Sequence, residues 1–169
     1  QQDDGKLFNW VDHNRNINLD NWSQDAHGRA LWALGLLSST EEIPQELRHE
    51  ANQIFRKGLK VMENIKSPRA VAFMIMGLYF HNKSKQSSKN IDKIKELSDY
   101  LVMLYKNCAS KEWRWFEEYL TYSNSKLPEA LFYSYLATKS KEYLNIAQSS
   151  LDFLNSVTFE DGVFTPIGQ

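Results

Sequence analysis

Two hydrophobic patterns alternate along the chain. Segments of the first kind are apolar on nearly every side, which is typical of helices buried all round. They cover residues 28–37, 67–80 and 128–137. Segments of the second kind place apolar residues at spacings of three and four, which predicts helices that cover a core with one face. They cover residues 45–65, 90–107 and 141–157. The pattern thus predicts six helices, with the first, third and fifth more buried than the others.

Capping and turn residues support this division. Ser23 is a suitable N-cap for the first helix, because its hydroxyl can accept a hydrogen bond from a first-turn amide. Pro68 and Pro128 suit the first turns of the third and fifth helices. After the sixth helix, Asp161-Gly162 predicts the turn of a short hairpin.

The alternation repeats three times, so residues 1–169 are predicted to form a single all-α domain of three helical hairpins. Two architectures fit this repeat. One is an open α-solenoid. The other is an α/α toroid, in which apolar helices form an inner ring and amphipathic helices an outer ring. In a toroid, the loops that lead from outer to inner helices line one mouth.

Composition excludes several classes of protein. The hydrophobic fraction of 42%, the charged fraction of 24% and the net charge of -1 fit a globular chain without a nucleic-acid or anionic-membrane surface. No apolar run approaches the roughly 20 residues that span a bilayer. The single cysteine, Cys108, cannot form an internal disulfide, which fits a reducing, cytoplasmic compartment.

The chemistry-bearing residues concentrate at one predicted mouth. Its loops cover residues 21–28, 65–69 and 110–129. The last of them contains most of the stretch EWRWFEEYLTYSNSKLPEAL, which covers residues 112–131. Aromatic faces that stack on sugar rings, together with carboxylates, are typical of a saccharide-binding cleft. The alternative is a long loop whose Trp and Phe side chains anchor it to the core. The loops at the opposite end are plain Ser, Lys and Glu.

Other chemistry finds no support in the sequence. The four histidines and Cys108 lack the spacing of a metal site, so no metal is predicted. The glycines form no phosphate-binding loop, and no nucleophile motif is present. No cofactor is therefore expected.

Three stretches, DAHGRALWALG, SPRAVAFMIMGL and WRWFEEYLTYSNSKLPEAL, resemble a family of bacterial and archaeal α/α-toroid domains of the six-hairpin glycosidase-like group. Members of that family occur with glycosyltransferases and mannoside phosphorylases. Ten residues match the family's motif positions. They are Asp25, Gly28, Arg29, Trp113, Trp115, Phe116, Glu117, Tyr122, Asn124 and Pro128.

The resemblance implies that the chain is about the first half of a domain, because a closed toroid of this type has six hairpins. The chain is then a fragment, or a partner completes the ring, or the ring is open. Half a ring exposes inner-helix residues such as Leu31, Trp32 and Phe132, which favours self-association.

We select nine candidate site residues. The catalytic pair to test is Asp25 and Glu117, although Asp161 or a residue outside the chain is an alternative partner. The candidates for saccharide binding are Arg29, Arg69, Trp113, Trp115, Tyr122, Asn124 and Glu129. Structural roles compete with these. Asp25 is equally suited to capping a helix, and Arg29 and Arg69 are expected to pair with Asp25 and Glu129 as ties between helices.

Two functions follow from this set. The first is a carbohydrate-active domain that binds a saccharide at the mouth, with glycoside hydrolysis or glycosyl transfer as further options. Hydrolysis would require two carboxylates on opposite sides of the bond. The second is a non-catalytic helical-repeat module that binds a protein through the same surface. Buried Trp113 and Trp115 side chains would favour the module.

Overall fold

The computed structural model describes residues 1–17 and 22–167, and it confirms the all-α class. Six α-helices and one 3-10 helix make up the body of this part of the chain. They are α1 (Gln24–Ser39), α2 (Gln45–Gly58), the 3-10 helix Leu59–Asn64, α3 (Pro68–Ser84), α4 (Ser88–Cys108), α5 (Lys126–Thr138) and α6 (Lys141–Thr158). Two short strands follow, β1 (Phe159–Glu160) and β2 (Val163–Phe164). The predicted helix at 45–65 is therefore α-helical only to Gly58.

The helices form three consecutive hairpins, as the repeat predicts. Each apolar helix packs against the amphipathic helix that follows it, and α3 also packs between α1 and α5. The inner layer thus runs α1, α3, α5, with α2, α4 and α6 outside. Closing this layer into a ring would require further hairpins, so the toroid itself stays a prediction.

Glycines set the distance between α1 and α3. A Cβ atom built on Gly35 would lie 2.2 Å from the backbone oxygen of Gly77, and one on Gly77 would lie 2.6 Å from the backbone oxygen of Leu31. Gly28 makes a similar approach to Ala70, at 2.7 Å. The two helices therefore pack backbone against backbone, which any larger residue at these positions would prevent.

Serine side chains cap the two inner helices whose N-termini meet at the mouth. Ser23 Oγ accepts from the Ala26 amide at 3.3 Å, which confirms the predicted N-cap of α1, and Ser67 caps α3 in the same way. Gln24 joins the two helix starts, because its Oε1 accepts from the backbone N–H of Lys66 at 2.8 Å and of Ser67 at 2.7 Å. Asn21, the predicted start of this mouth loop, lies outside the described residues.

The prediction that all three inner helices are more buried than the outer ones holds for α3 but is wrong for α1 and α5. In α3, 11 of 17 residues are buried, but α1 buries five of 16 and α5 five of 13, while the outer helix α6 buries seven of 18. The reason is the position of each helix. An inner helix lies on both sides of α3, whereas α1 and α5 each have an inner helix on one side only. The predicted edge residue Leu31 is fully buried instead. Leucines elsewhere on the edge helices are exposed, namely Leu36, Leu37 and Leu136.

The predicted hairpin at the end of the chain is confirmed. Asp161 and Gly162 have positive φ values of 50° and 78°, as a tight hairpin turn between twisted strands requires. Phe159 pairs with Phe164 and Glu160 with Val163. The two phenylalanine rings lie 5.4 Å apart, so they share one face of the hairpin.

Candidate functional site

The loop between α4 and α5, residues 109–125, is called the aromatic loop below, and its own aromatic side chains anchor it to the core. Trp115 is 0% exposed and Phe116 2%, and their rings meet edge to face at 5.3 Å. Trp113 is half-buried and packs edge-on against Phe153 of α6 at 4.9 Å. Its indole N–H donates to the backbone oxygen of Glu117 at 2.7 Å. The loop is therefore anchored to the core at three adjacent points.

This anchoring corrects the expected role of Trp115. A fully buried ring offers no face to a sugar, so Trp115 is a core residue in this structure. Trp113 and Trp115 both turn toward the core, where each packs near Phe153. Trp113 retains partial exposure, but its N–H is already engaged.

Arg69 is the centre of the polar network at the mouth. Its side chain is 5% exposed, and its three nitrogens all donate hydrogen bonds to the aromatic loop. Nε donates to the backbone oxygen of Tyr122 at 2.5 Å, and Nη2 donates to Asn124 Oδ1 at 3.1 Å. Nη1 lies 2.8 and 3.1 Å from the two carboxylate oxygens of Glu117. One guanidinium thus holds the loop onto the start of α3.

Asp25 forms the second node, at the start of α1. One of its oxygens accepts from Ser67 Oγ at 2.6 Å, and the other accepts from the Tyr122 hydroxyl. The hydrogen bond to Asp25, aided by burial, raises the pKa of Tyr122 above its ordinary value. Tyr122 therefore stays a protonated donor at neutral pH. Asp25 and Arg69 together connect α1, α3 and the loop before α5.

The prediction that Arg29 and Arg69 pair with Asp25 and Glu129 is wrong. Glu129 pairs with Lys126 at 2.7 Å, not with an arginine. Arg29 is exposed, lies over the Phe73 ring at 4.8 Å and donates to Ser123 Oγ at 3.4 Å. The physical reason is that the folded-back loop brings Glu117 and Tyr122 closer to Arg69 and Asp25 than any neighbouring helix does.

The two candidate catalytic carboxylates are both engaged by the protein. Both oxygens of Glu117 accept from Arg69, and both oxygens of Asp25 accept from hydroxyl groups. Such fully bonded carboxylates are suited to positioning other groups rather than to transferring protons. Asp161, the alternative partner, lies in the exposed turn of the hairpin.

A cavity of about 400 Å³ lies beside this network, between the aromatic loop, α6 and the terminal hairpin. Three aromatic side chains line it, namely Tyr122, Phe159 and Phe164. Neutral polar side chains line it as well, namely Thr121, Ser123, Asn124, Ser125, Asn155 and Thr158. Among the described lining residues, none carries a charged side chain. Tyr122, Phe159 and Phe164 are 46%, 49% and 58% exposed, and the Arg69 guanidinium covers one face of the Tyr122 ring at 4.9 Å from its centroid.

Sequence reasoning missed the contribution of the hairpin. The sequence predicts the turn at Asp161-Gly162, but nothing in it indicates that Phe159 and Phe164 share one face or that this face lies beside the aromatic loop. Ser67 and Gln24 were also missed, although each is a polar residue at a helix start, where side chains commonly bond to backbone or neighbouring groups.

In the part of the chain that the structure describes, no group of three His, Cys, Asp or Glu residues is arranged to hold a metal ion. No helix there is both long and apolar enough to cross a bilayer. No family model matches the chain, and neither a curated protein nor a solved structure is significantly similar to it. The likeness to α/α-toroid domains therefore stays a prediction that depends on the three sequence motifs.

Proposed function

We propose that the chain is a saccharide-binding helical-hairpin domain and that the saccharide occupies the 400 Å³ cavity between the aromatic loop and the terminal hairpin. The observation that carries this function is the lining of that cavity. It combines three exposed aromatic side chains with neutral hydroxyl and amide groups, and none of the described lining residues is charged. Aromatic faces contact the C–H face of a sugar, and neutral polar groups orient its hydroxyls.

The hydrogen-bond network explains how the cavity would be kept in shape. Arg69 holds Asn124 and the backbone of Tyr122, and Asp25 holds the Tyr122 hydroxyl. Two cavity-lining residues thus have positions set before a ligand arrives, which lowers the entropy lost on binding. In this role, Asp25 and Arg69 are positioning residues.

Binding without bond cleavage fits this chain best. Glycoside hydrolysis requires two carboxylates beside the bond, and neither Asp25 nor Glu117 lines the cavity. If the complete protein acts on glycosidic bonds, its carboxylates would have to come from residues other than Asp25 and Glu117. We also propose that the complete domain is a toroidal ring and that the protein is located in the cytoplasm.

The decisive experiment is titration of the ¹⁵N-labelled chain with neutral mannose- and glucose-containing oligosaccharides. We expect Phe164→Ala to weaken binding at least tenfold, because it removes one aromatic face of the cavity. Val163→Ala is the matched control, since Val163 is exposed on the opposite face of the same hairpin. Absence of saccharide-induced shifts in the wild-type chain, or equal losses in both variants, would refute the proposal.

A second candidate is a non-catalytic helical-repeat interaction module. The observation that favours it is the burial of Trp115 together with exposed leucines on the two edge helices, Leu36 and Leu37 on α1 and Leu136 on α5. Exposed apolar side chains on edge elements are suited to contact with another protein surface. Association without any saccharide binding would favour this module.

A further inference from the structure

A second cavity, of about 310 Å³, lies between the outer helices α2 and α4. The end of α3 closes its floor. Five cationic side chains line it, namely Arg56 and Lys60 from the α2 side, Lys85 after α3, and Lys89 and Lys93 on α4. The loop that supplies Lys85 and Ser87 is one that the sequence analysis describes as a plain polar loop.

Within residues 1–17 and 22–167, no ion pair neutralises the five cations of this groove. The described lining contains no carboxylate, and among the described residues no Asp or Glu oxygen lies within 4.0 Å of any of the five cations. Other lysines of the same chain do form ion pairs, such as Lys106 with Glu142 at 2.6 Å. The whole chain has a net charge of -1, so the clustering reflects placement rather than a basic composition.

The floor of the groove is a fixed polar surface. His81 is 6% exposed and Asn90 8%, and both lie beneath the cations. His81 Nε2 lies 2.8 Å from Asn52 Oδ1, and Asn90 Nδ2 lies 3.0 Å from His81 Nδ1. Nδ1 of His81 therefore accepts from the Asn90 amide, and Nε2 donates to the Asn52 oxygen, so the imidazole is neutral. Burial, with Arg56 and Lys85 nearby, lowers the pKa of His81, which agrees with a positive local potential.

The start of α4 adds a further positive contribution. Ser87, its N-cap residue, lines the groove and makes no side-chain capping bond. The positive end of the helix dipole and the first-turn amides are therefore directed to the same region as the lysines, an arrangement that favours a bound anion.

We propose that this groove binds a small phosphate-bearing ligand with at least two negative charges, such as a diphosphate or a phosphate ester. Several cations that line one cavity match a compact multivalent anion, and the volume is that of a small-molecule site. The site lies on different elements from the saccharide cavity, so either can exist without the other.

The test uses inorganic pyrophosphate as the probe, titrated into the ¹⁵N-labelled full chain at constant ionic strength. The groove variant is Lys85→Gln with Lys89→Gln, and the control is Lys111→Gln with Lys141→Gln, which removes two equally exposed charges elsewhere. We expect saturable shifts at Ser87, Asn90 and their neighbours, at least tenfold weaker binding in the groove variant, and unchanged binding in the control. Melting without ligand verifies that both variants fold.

A second arm distinguishes the source of the phosphate. Phosphatidylcholine vesicles with and without phosphatidic acid are sedimented with the same proteins. Phosphatidic acid-dependent binding that the groove variant loses would assign the phosphate to a lipid headgroup, whereas binding of pyrophosphate alone would assign it to a free ligand. Shifts no larger than those caused by sodium chloride, or equal losses in groove and control variants, would overturn the proposal.

Discussion

Arg69 and Glu117 form a buried ion pair that joins the start of α3 to the aromatic loop. Nη1 of Arg69 lies 2.8 and 3.1 Å from the two carboxylate oxygens, and the two residues are 48 positions apart in the chain. The side chains are 5% and 17% exposed, so water screens the pair only weakly. A buried charge that loses its partner is strongly destabilising.

We expect Glu117→Gln to lower the free energy of unfolding by about 3–5 kcal/mol, because the Arg69 guanidinium would remain buried without its counter-charge. Urea denaturation of the variant and the wild type measures this loss. Glu118→Gln is the control, since Glu118 is the exposed neighbour. It should change stability by less than about 0.5 kcal/mol. Equal stability of the two variants would mean that the Arg69–Glu117 pair contributes little.

The loop tryptophan Trp115 gives a second prediction. Trp115→Ala should cost about 3–5 kcal/mol of stability, because it leaves a large cavity in the core. Trp115→Phe should cost much less, since it keeps most of the apolar volume and the indole nitrogen has no hydrogen-bond partner among the described residues. Thermal melting compares the three proteins. A Trp115→Ala variant that melts like the wild type would place this ring outside the core.

The fold was predictable because its signals are local. Hydrophobic periodicity, the Ser23 cap and the Asp161-Gly162 turn each involve only a few neighbouring residues, and each is confirmed. The burial of α1 and α5 was overestimated, because an apolar pattern does not reveal how many neighbours a helix has.

The candidate site was less predictable because its contacts are long-range. Sequence singled out Arg69, Glu117, Tyr122 and Asn124, and the structure brings these four together. It did not indicate that Glu117 would pair with Arg69, since that depends on how the loop folds back. An extended segment also gives no sign of whether its tryptophans face solvent or core, and Trp115 faces the core.

The glycine contact between α1 and α3 leads to a third prediction. Gly35→Ala should destabilise the protein by about 1–3 kcal/mol, because the new Cβ would lie 2.2 Å from a backbone oxygen of α3. The sign is informative, since Ala is otherwise favoured over Gly in a helix by about 1 kcal/mol. Gly58→Ala is the comparison, because its Cβ would come too close only to the flexible end of Leu31, at 2.7 Å, with Gln1 and His27 in ordinary contact at 3.5 and 3.6 Å. Denaturant titration should therefore show a smaller loss for Gly58→Ala, and a stabilising Gly35→Ala would contradict the tight packing.

Two buried histidines predict how stability depends on pH. His27 accepts from the Leu7 amide at Nδ1 and lies 3.1 Å from the Gly58 oxygen through Nε2, so its ring is neutral, as is that of His81. Burial lowers the pKa of both rings from the ordinary value of 6.5, with nearby Arg56 and Lys85 adding to the effect at His81. The unfolded chain therefore binds more protons in acid than the folded chain does.

Stability from these histidines should be fully present above pH 6.5 and be lost as the pH falls through the depressed folded-state pKa values. Urea denaturation at several pH values between about 7.5 and 5 measures the slope. An NMR titration in which both buried rings protonate at or above 6.5 would contradict the assignment.

The exposed leucines on the edge helices predict self-association. Leu36 on α1 is 43% exposed and Leu136 on α5 is 47% exposed, and each lies on a helix with an inner neighbour on one side only. We expect sedimentation velocity to show a weight-average mass that rises with concentration, because association removes this apolar surface from water. Replacing Leu36 and Leu136 by Lys should shift the chain toward the monomer. Met103→Lys changes an equally exposed side chain on the outer helix α4 and should leave association intact. A monomer at every concentration would instead identify the three hairpins as a self-contained bundle that needs no further helices to cover its edges.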